Sequence, residues 1–169
     1  MVRLFECMEQ RSKESPDFKY EILVSFLELY NEELVDLLNP NTIQRKKNNN
    51  NNNNNASGEI SIREDIAGNI YWSGVREETC SSPEELLGYL AKGSLCRTTG
   101  STDMNTVSSR SHAIFSVVLK QQRREEDGSD KSFTSKFHFV DLAGSERVTK
   151  ITSCFLFFVI IKIIRSINI

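Results

Sequence analysis

The sequence predicts an α/β fold in which a mixed central β-sheet is flanked by α-helices. Three observations predict it. Tyr20 to Tyr30 is a long apolar and aromatic run with the β-branched content of a buried strand. Ala113 to Lys120 and Phe133 to Leu142 are two further strand-like runs, separated by the polar turn signal Asp127-Gly128-Ser129-Asp130. Between these comes a well-marked helix opening at Ser82-Pro83-Glu84-Glu85.

The 169 residues suffice for one domain with a real core. Hydrophobic content of 38% and charged content of 26% are those of an ordinary soluble protein. The formal net charge of −2 gives no global basic field to recruit nucleic acid, so an acidic partner must be met by a local patch. Cys7, Cys80, Cys96 and Cys154 form no Cys-x-x-Cys pair, and neither histidine stands at metal-ligand spacing, which argues against a zinc site. Met1 to Glu6 lacks the apolar stretch of a signal peptide, and the expectation is free thiols in a reducing interior.

In chain order, Leu4, Phe5 and Met8 have helical spacing. Tyr20 to Tyr30 follows as a strand buried on both faces. Asn31 to Leu38 then predicts a short helix, with Asn31 as cap, acids in the first turn and Leu34, Leu37 and Leu38 on its apolar face. The asparagine run 48–55 has nothing to bury and is expected to be a disordered loop insertion. Ile60 to Glu64 alternates as a half-buried strand does, and Ile70 to Trp72 supplies a second strand after the turn residues Ala67-Gly68-Asn69. In the helix after Ser82, Leu86, Leu87 and Leu90 are expected on the core face, with Gly93 as its stop. Phe137, Phe139 and Leu142 are expected on one face of the last strand. An antiparallel hairpin of the final two strands places the loop before Ala113 beside the loop after Leu142.

Those two loops carry the chemistry. A nucleoside triphosphatase needs Mg²⁺ held by hydroxyls and carboxylates, donors on the γ-phosphate, and a positioned water. Asp141 stands at a strand end where it can join a Mg²⁺ shell through water. Gly144, lacking Cβ, lets its backbone N–H approach a phosphate. Ser108 and Ser109 offer hydroxyls to metal or phosphate, and Arg110 and Glu146 have charges that can pair across the loops. Each feature has a bland reading: Asp-x-x-Gly recurs in ordinary turns, Ser-Ser-Arg-Ser is often a solvated loop, and His112 suits a hydrogen-bonded loop residue better than a general base. Their joint order and spacing raise them above it.

With these residues in view, the chain resembles the kinesin motor domain. Asn105 to His112 meets the family's switch I pattern, Asn-x-x-Ser-Ser-Arg-Ser-His, and Asp141 to Glu146 meets its switch II pattern, Asp-Leu-Ala-Gly-Ser-Glu. Val24 to Glu33, Ile62 to Asp65 and Arg97-Thr98-Thr99 fit the same family, and the similarity runs from about Leu4 to Lys150. The segments around Ile62 to Asn69 and Thr98 to Met104 are most similar to chromokinesins. The resemblance implies part of a kinesin-type motor core over residues 1–150, with ATP and Mg²⁺ as ligands of the intact motor. It implies catalytic roles for Ser108, Ser109, Arg110, Gly144 and Glu146, nucleotide binding by Asn105, Ser109 and Gly144, and metal binding by Ser109 and Asp141. Arg63 and Arg76, on the segment matching a tubulin-contacting hairpin, are the implied microtubule-binding residues. The implied setting is the cytoplasm and its microtubule cytoskeleton, with dimerisation left to a stalk that this sequence does not contain.

Two departures qualify the match. The P-loop pattern Gly-x-x-x-x-Gly-Lys-[Ser/Thr] is absent, so the cradle for the β- and γ-phosphates is missing and the chain alone is expected not to hydrolyse ATP. After Lys150 the family pattern gives way to the apolar, β-branched segment 151–169, which has the character of a translated intron or a misread exon boundary. Its apolar run is shorter than the roughly 20 residues of a membrane span and is broken by Lys162 and Arg165, so a membrane anchor is not expected. Beside the motor reading stand two others, an inactive microtubule-binding or regulatory module and a membrane-tethered fragment.

Overall fold

The computed structural model describes residues 1–39, 60–66, 68, 70–99, 110–125, 128–143, 158–160 and 166–168. Helix α1 (Val2–Glu14) buries Phe5 and Met8, as their spacing predicts. It leads into β1 (Lys19–Tyr30), whose interior is buried without interruption from Ile22 to Glu28. A strand covered on both faces explains why the sequence here reads as a continuous apolar run.

The segment after β1 is not a helix. Asn31 and Glu32 sit at φ of 50° and 65°, and Tyr30 pairs with Glu33. This is a two-residue hairpin turn with both central residues left-handed, a conformation asparagine tolerates. It returns the chain as β2 (Glu33–Asp36), antiparallel to β1. The edge of a long strand offers a ready hydrogen-bonding partner, and this outweighs the weak helical preference of so short a segment. Leu37 N–H continues the attachment by donating to Phe26 O at 2.8 Å, and Leu37 and Leu38 are fully buried.

β3 (Ser61–Glu64) and β4 (Ile70–Ser73) form a separate two-stranded antiparallel ribbon. The expected strand is present, but its burial does not alternate: Ile62 is 61% exposed, so neither face of β3 is buried. β5 (Glu78–Thr79) pairs with β1 beside Leu23 and Val24. Asp36, fully buried, fixes this stretch: its carboxylate accepts from Leu38 N–H at 2.9 Å and from Arg76 N–H at 2.8 Å. Burial pushes the Asp36 carboxyl above its ordinary value, and these amides oppose that rise.

Helix α2 (Pro83–Thr99) begins where the capping residues predict. Ser82 Oγ accepts from Glu85 N–H at 3.1 Å, and Glu85 reaches back to Ser81 N–H at 2.8 Å rather than to Ser82 itself. Gly93 does not end the helix. It is buried inside it, and a Cβ there would lie 2.8 Å from Cε1 of Phe26 and closer still to Cδ1. The glycine is a point of close approach between α2 and β1, so the helix continues to Thr99. Leu86, Leu90 and Gly93 share the inward stripe, whereas Leu87 falls off it and is 59% exposed.

β6 (His112–Arg124) and β7 (Asp130–Asp141) make the expected hairpin. Phe137 and Phe139 share a face, but Leu142 does not. It lies beyond the strand and is exposed, and the two-residue period puts Asp141 in line with them instead. β1 joins β6 over Lys19 to Leu29, giving the order β2-β1-β6-β7, and every pairing among the described residues is antiparallel. Phe26, Phe115 and Phe139 stand opposite one another across β1, β6 and β7, with ring centroids 5.3 Å and 6.4 Å apart. That aromatic row is the centre of the core. Two short strands, β8 (Phe158–Ile160) and β9 (Ser166–Asn168), pair with the outer edge of β7. Among the described residues, no helix is long and apolar enough to cross a membrane. The asparagine run lies outside the described residues.

Candidate nucleotide-switch site

The site is built where three elements end. On α2, Arg97 stands four residues beyond Gly93, on the same helix face. On β1, Glu28 stands two residues beyond Phe26, on the same strand face. Because Gly93 meets Phe26, Arg97 is delivered to Glu28, and the guanidinium Nε lies 3.8 Å from Glu28 Oε1. The pairing of β1 with β6 and of β6 with β7 then brings the start of β6 and the end of β7 to the same place, through Leu29 opposite His112 and Ala113 opposite Asp141.

Arg97 ties these ends together. Its Nη1 donates to Asp141 Oδ2 at 2.6 Å, and its Nη2 donates to Ser111 O at 3.0 Å and to Ser111 Oγ at 3.2 Å. The side chains of Arg97 and Glu28 are 13% and 4% exposed, and that of Asp141 is 27%. A planar fork with five donors can hold a carboxylate and a carbonyl at once, which an ammonium on a flexible stem does poorly. A second tie joins the loops directly: Ala143 N–H donates to His112 Nδ1 at 3.0 Å, which leaves the ring proton on Nε2. His112 is thus hydrogen-bonded, as expected, but as the first residue of β6 rather than in a loop. His138 lies within β7, where its Nδ1 is 2.8 Å from Ser116 Oγ across the strand pair.

Of the expected site residues, the structure places four. Asp141 ends β7 in the grip of Arg97. Arg110 is exposed in the turn immediately before Ser111. Arg63 is exposed in the middle of β3, and Arg76 is exposed and paired with Glu78 at 2.5 Å. Asn105, Ser108, Ser109, Gly144 and Glu146 lie outside the described residues. Arg97 was overlooked as a functional residue by reasoning from motifs. The signal for it was Glu28: a carboxylate inside the long apolar run that forms β1 demands a buried cation, and a helix-end arginine is a natural source.

The donor set suits a magnesium–phosphate ligand in one respect. Mg²⁺ is commonly held by one or two carboxylates together with water and phosphate oxygens, and Asp141 is such a carboxylate. Among the described residues, no group of three or more His, Cys, Asp or Glu side chains is placed to hold a metal by itself.

Comparison with known proteins agrees with this architecture. The kinesin motor domain family profile matches residues 1–155. A kinesin-like protein kif7 from Danio rerio is 43% identical over 134 residues, covering 78% of this chain and 9% of the relative. The kinesin-like protein KIF27 of Rattus norvegicus is 43% identical over 143 residues, with 80% and 9% covered. The chromosome-associated kinesin KIF4 of Gallus gallus is 41% identical over 147 residues, with 87% and 10% covered. These identities are too close together to favour the chromokinesin type. A solved structure described as that of a fast kinesin superposes with a TM-score of 0.63 at 30% identity, covering 90% of this chain and 38% of that one. The chain therefore spans about a tenth of the curated relatives it matches. From the joined loop bases, the sheet that carries them and these matches, the chain belongs to the kinesin motor domain family.

Proposed function

We propose that this chain forms the switch-bearing half of the nucleotide site of an ATP-driven microtubule motor. The observation that carries this reading is the Arg97 clamp, which binds Ser111 from one loop base and Asp141 from the other. A sensor that links two loops needs a rigid foundation from which both can move, and the clamp supplies it.

When bound, Mg²⁺·ATP supplies the phosphoryl group and the metal charge that neutralises it. Asp141 would hold a water of the metal shell, with Arg97 fixing the direction of its carboxylate. Gly144 N–H would donate to a phosphate oxygen, and Ser108, Ser109 and Asn105 would face the same group. Arg110 and Glu146 would pair when both loops close. An exposed pair of this kind is worth only about 1 kcal/mol, which suits a latch that must open again. Arg63 and Arg76 would face the acidic surface of tubulin, Arg76 with part of its charge already offset by Glu78. The setting would be the microtubule cytoskeleton of the cytoplasm.

The P-loop pattern is absent from these residues, so the 169-residue chain alone should release phosphate from ATP no faster than buffer, with or without microtubules. Robust microtubule-stimulated turnover would sink that expectation. A chimera in which residues 1–150 replace the matching segment of a related motor tests the positive half. Its ATPase should recover, and Asp141→Asn or Glu146→Ala should reduce it by roughly 10²-fold or more, the usual cost of losing a preorganised polar group. Full activity in either variant would overturn the assigned roles.

A further inference from the structure

The rung of the sheet next to the aromatic row has a different character. Glu28, Ala113 and Asp141 stand opposite one another across β1, β6 and β7. Directly opposed residues share a sheet face, so two carboxylates flank one small, buried side chain, on strands two spacings or about 10 Å apart. Arg97 pairs with both of them, at 2.6 Å to Asp141 and 3.8 Å to Glu28.

Arg97 holds its partners unequally. The Nη1 bond to Asp141 is short, and the Nη2 bond to Ser111 O is 3.0 Å. The Nε–H is the loosest of its donors. It reaches Ser111 Oγ at 3.4 Å, and Glu28 Oε1 lies 3.8 Å from the same nitrogen. Ser111 is fully buried, so its carbonyl is a fixed point about which the guanidinium can tilt. A tilt that brings Nε closer to Glu28 by roughly 1 Å makes a charge-assisted hydrogen bond there. If Asp141 let go with nothing else at hand, a buried cation would be left without a close counter-charge, which the interior strongly disfavours. Glu28, 4% exposed, has that counter-charge already in place.

We propose that Glu28 is a positioning residue for the switch site: it receives Arg97 when the Asp141 carboxylate turns towards a metal shell, and so makes Asp141 easier to free. The exchange itself stands on the ion-pair geometry, and its purpose rests on the nucleotide reading above.

Asp141→Asn in the full chain imitates the release, because the amide has the same shape and no charge. NMR of the Arg97 Nε–H should show its proton moved downfield and its exchange with water slowed at least roughly fivefold, the effect of one added hydrogen bond. Glu28→Gln in the same chain should reverse most of that slowing. In urea denaturation, Asp141→Asn should lower the folding constant at least roughly fivefold further beside Glu28→Gln than in the parent. An Nε–H indifferent to Asp141→Asn overturns the exchange even if the stabilities couple, since two immobile carboxylates around one cation would couple as well. Additive stabilities overturn Glu28 as the acceptor even if the Nε–H responds. Neither measurement uses nucleotide, so failure in them strikes the exchange and not the nucleotide reading. The purpose is tested in the chimera carrying residues 1–150. There Glu28→Gln should raise the Mg²⁺ concentration for half-maximal ATPase by roughly fivefold or more. An unchanged Mg²⁺ dependence, beside an Asp141→Asn chimera that has lost its activity, overturns the role given to Glu28. A chimera fully active with Asp141→Asn overturns the nucleotide reading, and that role with it.

Discussion

Arg97→Ala should be the most damaging single change at the loop bases. The substitution removes a 2.6 Å bond to Asp141 and two bonds from Nη2 to Ser111, and it takes away the guanidinium beside Glu28. Hydrogen bonds to charged groups contribute about 1.5–3 kcal/mol each when desolvated. Asp141 is 27% exposed, so water screens part of its share, and the Ser111 bonds, two from Nη2 and a longer one from Nε at 3.4 Å, all go to one residue and are not additive. A loss of about 2–4 kcal/mol is expected, below the upper end for breaking a fully buried pair. With a urea slope of about 2 kcal/mol/M, the denaturation midpoint should fall by about 1–2 M. Arg97→Lys should recover less than half of the loss, because an ammonium cannot serve Asp141 and Ser111 with one planar fork. A double-mutant cycle with Asp141→Asn should show a coupling of at least about 1 kcal/mol. If Arg97→Ala lies within about 0.5 kcal/mol of the parent, or the cycle shows no coupling, the clamp is not what holds the loop bases together.

Other changes probe the scaffold around it. Gly93→Ala would gain helix propensity but drive a methyl into the Phe26 ring, and should cost about 1–3 kcal/mol in urea denaturation. Phe26→Leu in the same chain should reduce that penalty, and an unconditionally stabilising Gly93→Ala would refute the close packing. Glu32→Gly should stabilise by about 0.5–1 kcal/mol, since glutamate at φ 65° is strained and glycine is not; a lower melting temperature would contradict the hairpin turn. For Asp36, burial raises the folded pKa above the unfolded one, so the folded state binds the proton more readily. Its stabilising contribution is full below the unfolded pKa and is lost as pH rises through the folded pKa. Asp36→Asn lacks this loss, although one of the amides bound by Asp36 then faces an NH₂. Relative to the parent, the variant should therefore gain stability as pH rises upward from about 4, and parallel pH profiles would rule the raised pKa out.

How much was legible in the sequence depends on what set each element. α1 followed from its helical spacing, and β1, β6 and β7 from apolar runs with a turn signal between the last two, because each packs on the same core. The start of α2 followed from its caps, which are local chemistry. Its end did not, because glycine stops a helix in most settings and Gly93 is instead required by a ring on another strand. β2 was concealed in the same way: Leu34, Leu37 and Leu38 fit a helix as well as a strand, and only the free edge of β1 decided between them. The loop motifs were legible as patterns, but Asp141 acquires its orientation from Arg97, which is 44 residues away in sequence. Contacts of that range leave no local trace.

The bond from Arg76 N–H to the Asp36 carboxylate has a consequence for how the chain tolerates change. It closes a loop of about 40 residues, in which the asparagine run 48–55 lies. Closure entropy grows only with the logarithm of loop length, so adding eight residues to such a loop costs about 0.2 kcal/mol. Once that tie has formed, an expansion or contraction of that run is nearly invisible to the stability of the sheet. The same run placed in the turn between β6 and β7, where Glu125 N–H donates to Ser129 O, would lengthen a short loop several-fold and cost far more. The topology thus sorts the chain into segments where length drifts at almost no thermodynamic cost and segments where it cannot.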